Sequence, residues 1–232
     1  MKKIVILSAG PGLDEIVHKY GHSSDWIPTI LSDHNFDYSI KKVYQGDSLN
    51  IGDGDAWIIT GSKYSVYEQV DWIKELIDFT TLLTNKSMPV LGICFGHQII
   101  AKAVGANVIK NPLGWELGSY RLSLSDAGFN SPLFSGFKDN DFVYESHQDV
   151  VNDLPSKAII LANTKKSVQS FSYNNSYGVQ FHPEFSWEVT RMLMDLRLAK
   201  GIKIDNDKLE KSINSHKILN NFVKIFKGDL NG

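Results

Sequence analysis

Residues 89–98 read Pro-Val-Leu-Gly-Ile-Cys-Phe-Gly-His-Gln, and no other stretch constrains the fold as tightly. A short apolar run stops at Gly92-Ile93-Cys94-Phe95-Gly96, and a second apolar run, residues 99–104, closes at Gly105. The pattern predicts a strand, a sharp turn and a helix, with Cys94 on the turn. Glycines on either side permit a strained bend that pushes one side chain out at the carboxyl end of the strand. A side chain there faces the helix N-terminus, whose unpaired N–H groups and positive dipole end favour negative charge. Cys94 is the only cysteine in the chain, so no disulfide competes for it. A buried, inert thiol is the ordinary alternative, and the partners of Cys94 decide between the two.

With 232 residues the chain has room for one large α/β domain, which we take to span residues 1–232. A net charge of −2 without a basic run gives no reason to expect nucleic acid or an acidic membrane surface as partner. The apolar run at residues 4–7 is too short for a secretion signal and breaks at Ser8-Ala9-Gly10-Pro11, so it reads as a first strand. No apolar run reaches membrane-spanning length. A single free cysteine without a signal peptide implies a reducing, cytoplasmic setting.

Strand-type runs at residues 3–7, 38–44, 56–60 and 89–93 alternate with helical patterns at 25–33, 65–83 and 99–104, while residues 13–24 look irregular. Ser65-Val66-Tyr67-Glu68 reads as a capping box opening the second of these helices. His18 and His22 have the spacing of two ligands on one helix face, yet no acidic or cysteine partner accompanies them, and no metal is expected. Strand–helix alternation predicts a doubly wound, mostly parallel sheet flanked by helices, flavodoxin-like, with ligands at the carboxyl ends of the strands. Beyond residue 107 shorter runs separated by turn signals predict an antiparallel extension of the same sheet. Ser186 is positioned to cap a helix running to about residue 200, and Leu209, Ile213, Ile218, Phe222 and Ile225 mark a last amphipathic helix covering the sheet.

A thiol nucleophile needs a base, and the base needs an orienting group. Of the seven histidines, His182 ends an apolar strand and precedes Pro183-Glu184. Proline holds the preceding residue extended, and in an extended segment positions 182 and 184 project from one face. Glu184 can therefore orient the imidazole while its other nitrogen faces Cys94. His147, in Glu145-Ser146-His147-Gln148-Asp149, is the competing base, without the backbone constraint that a following proline gives His182; it reads as a pocket or structural residue. His97, one turn into the helix after Cys94, reads as a supporting residue.

Gly92-Ile93-Cys94-Phe95-Gly96-His97-Gln98 together with Gly178-Val179-Gln180-Phe181-His182-Pro183-Glu184 resembles the class I, triad-type glutamine amidotransferases. Within them the likeness is nearest to the GMP synthase amidotransferase domain and its stand-alone relatives, the γ-glutamyl peptidases included, and it covers roughly residues 40–190. The resemblance implies a Cys94–His182–Glu184 triad that attacks the side-chain amide of glutamine through a γ-glutamyl thioester and releases ammonia. It implies an oxyanion held by the N–H groups of Phe95 and of the loop at Gly61 and Ser62, and substrate contacts from Gln98, Ser146, His147 and Gln148. It implies no cofactor and no metal. Its partners would be glutamine or another γ-glutamyl small molecule, and a separate synthetase subunit of GMP-synthase type to receive the ammonia. A stand-alone hydrolase of γ-glutamyl amides or peptides, and a non-catalytic regulatory protein on the same fold, are the alternatives. The chain departs from the family in carrying Gly61-Ser62-Lys63 where Gly-Gly-Pro or Asn-Gly-Pro is common. Residues 10–35 also form a longer first connection than the minimal fold needs, expected to reshape the mouth of the pocket.

Overall fold

The computed structural model describes residues 2–204 and 208–229. Its organising layer is an eight-stranded sheet. The central strands β1 (Lys3–Ser8), β3 (Ala56–Ile59) and β4 (Val90–Ile93) are apolar along most of their length and almost wholly buried. Continuous burial is what a parallel strand covered on both faces requires. β2 (Asp37–Lys42), more polar and half-exposed, takes the edge beside β1. β12 (Ser176–Val179) pairs parallel with β4 on the other side. Beyond it the sheet turns antiparallel through β11 (Val168–Tyr173), β10 (Ile159–Asn163) and the two-residue β7 (Ser123–Leu124). The doubly wound, mostly parallel α/β sheet with an antiparallel extension is therefore present. The extension is only partly one sheet, however. β5 (Asn107–Lys110) pairs with β9 (Asp149–Asn152), and β6 (Glu116–Arg121) with β8 (Phe142–His147), in two separate ribbons.

Two apolar cores lie on the two faces. One packs Trp57, Ile59 and Phe171 under α3 (Asp71–Asn85) and α4 (Phe95–Ala103). The other packs Ile4, Ile58 and Leu91 under α7 (Lys217–Lys227), through Ile218, Leu219 and Phe222. Each such buried side chain contributes about 1.5–3 kcal/mol relative to exposure.

Three helical expectations need correction. Residues 13–24 are not irregular: they hold α1 (Asp14–Tyr20) and the start of α2 (Ser23–Ile30), with Gly21 at φ 81° between them. His18 and His22 thus sit on separate segments, and their helical spacing is not realised. The helix expected from residue 65 begins at Asp71. Glu68 Oε1 does accept the Ser65 N–H at 2.6 Å, but the Ser65 hydroxyl is drawn to Asp149 at 2.5 Å instead of capping a helix. Finally, Leu209 and Ile213 precede α7 rather than belonging to it, and Ile213 is 75% exposed. α6 (Trp187–Ala199) starts as expected, with Ser186 Oγ accepting the Val189 N–H at 3.2 Å.

The crossing of β4, α4 and β3 has no room for a β-carbon at two glycines. A methyl on Gly92 would run into the Gly96 carbonyl, and one on Gly96 into the Ile59 carbonyl. Both obstacles are backbone and cannot swing aside. Gly96→Ala is expected to lower stability by about 1–3 kcal/mol, read as a reduced urea midpoint at unchanged slope.

Candidate active site

Three neighbouring strands end side by side, and each delivers one part of the site. β3 leads into Thr60-Gly61-Ser62, β4 into Cys94, and β12 through Gln180 and Phe181 into His182. The Cys94 N–H donates to the Val179 carbonyl at 2.8 Å, which ties the ends of β4 and β12 together. Cys94 itself has φ 52° and ψ −101°, outside the regions open to ordinary L-residues. The sharp turn expected from the flanking glycines is therefore present, with Phe95 opening α4 directly after it. Cys94 is only 5% exposed, yet it opens onto a cavity of about 50 Å³ also lined by Phe95, Gln98, His147 and Gln148.

The His182 N–H donates to the Tyr144 carbonyl at 2.8 Å, fixing the strand end that carries the ring. His182 Nδ1 lies 2.8 Å from Glu184 Oε1, as the extended His-Pro-Glu segment predicted. The ring stacks face to face on Phe185, with centroids 3.8 Å apart and planes 9° from parallel. The Cys94 side chain lies near enough to the ring to act on its charge. Burial pulls the His182 pKa down, but the charges of Glu184 and Cys94 outweigh it and raise the value to about 10. The ring is therefore protonated at rest near neutral pH rather than a free base.

Gly61 lies against this pair. A β-carbon there would approach His182 Cε1 to 2.9 Å and Cys94 Cβ to 3.6 Å. Thr60 Oγ1 accepts the Ala9 N–H at 3.0 Å and donates to the Gly61 carbonyl at 3.2 Å. That bond turns the Gly61 carbonyl toward Thr60, and in a trans peptide the following N–H, that of Ser62, points the opposite way. Among the described residues the N–H groups of Gly61 and Ser62 have no acceptor. The Phe95 N–H, at the first position of α4, precedes any intrahelical partner. Ser62 accepts the Tyr64 N–H on its hydroxyl at 3.2 Å, which braces the loop.

The loop at residues 146–149 is pinned by Asp149. Its carboxylate accepts from Ser65 Oγ at 2.5 Å and Tyr67 Oη at 3.0 Å. Its carbonyl accepts from Gln98 Nε2 at 3.1 Å and His147 Nδ1 at 3.0 Å. Gln98 also donates to Gln180 Oε1 at 3.1 Å. Gln98 and His147 thus line the pocket while their polar atoms brace the loop, and Ser146 and Gln148 stand at its open side.

Behind the loop lies a buried charge cluster that the sequence did not suggest. His147 Nε2 is 3.2 Å from Glu145 Oε2 and 3.4 Å from Glu116 Oε2. Glu116 faces His147 across the β6–β8 ribbon, and Glu145 lies two residues back on the same face. Burial works against a charged His147, but the two carboxylates overcome it and hold its pKa well above the usual value. Burial raises Glu145 to about 7. Glu116, also pushed up by burial, ends below its ordinary value because His147, Ser167 and Thr164 stabilise its charge. His147 is therefore committed to this cluster and does not reach Cys94 as a base. His97 is fully buried against Phe171, and burial lowers its pKa to about 3.

Two residues that the sequence analysis did not assign, Trp115 and Arg197, complete the site's wall, with the Arg197 guanidinium 5.0 Å over the Trp115 ring. An arginine late in an amphipathic helix carries no sequence signal. Among the described residues no group of three or more His, Cys, Asp or Glu side chains has the geometry of a metal site. No helix among them is long and apolar enough to cross a membrane.

Residues 29–195 match the model of the glutamine amidotransferase class-I family, and the chain belongs to that family. A glutamine amidotransferase-like protein of Schizosaccharomyces pombe is 33% identical over 87% of this chain and 86% of its own length. γ-Glutamyl peptidase 4 of Arabidopsis thaliana is 28% identical over 86% and 82%. A glutamine-hydrolysing GMP synthase subunit of Saccharolobus solfataricus is 35% identical over 56% and 67%. A glutamine amidotransferase structure from Thermotoga maritima superposes with a TM-score of 0.71, at 22% identity over 98% of this chain and 94% of that one, a likeness of fold.

Because the folded His182 value lies above the unfolded one of about 6.5, its stabilising contribution is complete below that pH and fades as pH climbs toward 10. The His182 Cε1 proton resonance should accordingly stay at its imidazolium position from pH 6 to 8.5. In Glu184→Gln, which removes the stronger of the two raising charges, the midpoint should move down.

Proposed function

We propose that this chain is a thiol amidohydrolase of γ-glutamyl side-chain amides, with glutamine as the parent substrate. One observation carries the reading: a strained, pocket-lining cysteine and an imidazole both lie against Gly61, and the imidazole's Nδ1 is held by a carboxylate at 2.8 Å. Cys94 sulfur, its proton already passed to His182, attacks the amide carbon and forms a tetrahedral oxyanion. The N–H groups of Phe95 and of Gly61 or Ser62 stabilise it as hydrogen-bond donors, by roughly 3–4 kcal/mol for a donor of this kind. His182, protonated at rest, gives its proton to the departing nitrogen as the C–N bond breaks. The product is a γ-glutamyl thioester on Cys94 and free ammonia or amine. The neutral imidazole then takes a proton from water, whose oxygen displaces the sulfur and releases glutamate. Glu184 holds the ring's orientation and balances its charge throughout. Gln98, Ser146, His147 and Gln148 shape the side that receives the glutamyl end.

Delivery of the ammonia to a separate synthetase subunit is a second reading, supported by the 35% identity to the GMP synthase subunit of Saccharolobus solfataricus. A non-catalytic role gives no reason for thiol, imidazole and carboxylate to be aligned. A reducing compartment suits the reading, since the sole cysteine must stay a thiol.

Glutamate release from glutamine, followed with and without a synthetase and its substrates, tests the proposal. Cys94→Ser should abolish turnover. Glu184→Gln should lower kcat by about 10²–10⁴-fold, the usual contribution of positioned acid–base catalysis, while the fold is kept. Turnover that is equal in wild type and Cys94→Ser would remove the proposal.

A further inference from the structure

The thiol and the imidazole open onto different chambers. The cavity of about 50 Å³ is reached by Cys94, Phe95 and Gln98, whereas a larger one of about 90 Å³ is reached by His182 and Phe185. The two share Ser62, Lys63, Ser146 and Arg197 at their boundary. We propose that the larger chamber is the leaving-group subsite, and that the preferred substrates are γ-glutamyl amino acids with an apolar or aromatic side chain next to the scissile bond. The inference rests on the hydrolytic reading above and specifies its substrate.

The chemistry assigns the sides. The acyl group stays on the Cys94 sulfur, so the glutamyl end belongs in the chamber that Cys94 lines. The nitrogen that departs takes its proton from His182, so whatever that nitrogen carries extends along the imidazole face. If that group were only hydrogen, as in glutamine, it would need the space of one water, about 10–15 Å³ on this measure. The chamber is several times larger.

Its walls are also wrong for ammonia. Leu13, Ile16 and Trp26 from the long first connection, Leu193 from α6 and Phe185 from the segment just before α6 line it. Ile16 and Leu193, 4% and 7% exposed, belong to a small apolar cluster separate from both cores. The wall is fixed in place: Trp26 Nε1 donates to the Tyr20 carbonyl at 2.7 Å, and its ring meets Phe185 edge-on at 6.1 Å. Phe185 in turn stacks on His182. An apolar side chain on the leaving amine would continue this line of rings.

Arg197 adds a charge requirement at the boundary. Its Nε is buried without an acceptor, and no hydrogen-bond or ion-pair partner meets its guanidinium among the described residues. A γ-glutamyl amino acid carries a carboxylate one carbon from the scissile nitrogen, at the junction where Arg197 stands. In the reaction the amide C–N bond breaks, the amino acid leaves as a free amine with the His182 proton, and water later releases glutamate from Cys94.

Glutamate release from γ-glutamylphenylalanine, γ-glutamylglycine and glutamine by the full-length protein tests the assignment. The expected order of kcat/KM is γ-glutamylphenylalanine above γ-glutamylglycine above glutamine, with at least tenfold between the first and the last. Leu193→Trp and Ile16→Trp, which fill the chamber from α6 and from α1, should each erase the preference for phenylalanine over glycine. Arg197→Met should raise KM for γ-glutamylphenylalanine about tenfold with kcat little changed. Far-ultraviolet circular dichroism identifies which filled variants are folded, and one folded variant suffices. Glutamine cleaved as efficiently as γ-glutamylphenylalanine, or a preference that survives a folded filled variant, would overturn the subsite and leave the hydrolytic reading standing. No Cys94-dependent cleavage of any of the three would overturn both.

Discussion

The backbone at Cys94 is the constraint on which the rest of the structure depends. A non-glycine residue at φ 52° and ψ −101° is held about 1–3 kcal/mol above its relaxed conformation, and only a rigid surrounding can sustain it. That surrounding is the crossing of β4, α4 and β3, where Gly92 and Gly96 bring backbone directly against backbone. The strain is confined to one turn and directs one side chain. It also brings the first N–H of α4 beside that side chain, so the proposed nucleophile and one proposed oxyanion donor come from a single bend.

The parallel order of the strands supplies the rest. Because β3, β4 and β12 are adjacent and run the same way, the loops after them converge on one edge of the sheet. Gly61 can touch both Cys94 and His182 only because it lacks a β-carbon. The imidazole is then fixed on three sides, by Glu184 at its far nitrogen, by the Phe185 ring along its face, and by the Tyr144 carbonyl at its backbone. Behind the smaller cavity, Asp149 gathers bonds from Ser65, Tyr67, Gln98 and His147, so that one residue ties three segments together.

How much of this could be read in the sequence follows from how local each cause is. The elbow and the His-Pro-Glu segment are set within a few residues, by glycine, proline and the two-residue period of extended chain, and both stand where they were expected. The central strands were legible because they are buried along their length. The helix start at residue 65 was misjudged because Ser65 is claimed by Asp149, 84 positions away in the chain. Residues 13–24 looked irregular because their helices are short and bury few residues, Ile16 and Ile27 among them. The cluster of Glu116, Glu145 and His147 depends on the pairing of two ribbon strands and has no local signature. The role of residues 10–35 in shaping the pocket was expected, but the partner they meet, α6, lies more than 150 residues on.

The central claim is that the Cys94 sulfur carries the acyl group. Mixing the protein with glutamine or γ-glutamylphenylalanine, quenching in acid within the first turnover, and mapping the digest by mass spectrometry tests it directly. One γ-glutamyl group on the peptide containing Cys94, decaying at the rate of glutamate release, is the predicted result. Steady glutamate release with that peptide unmodified at every time point would contradict it.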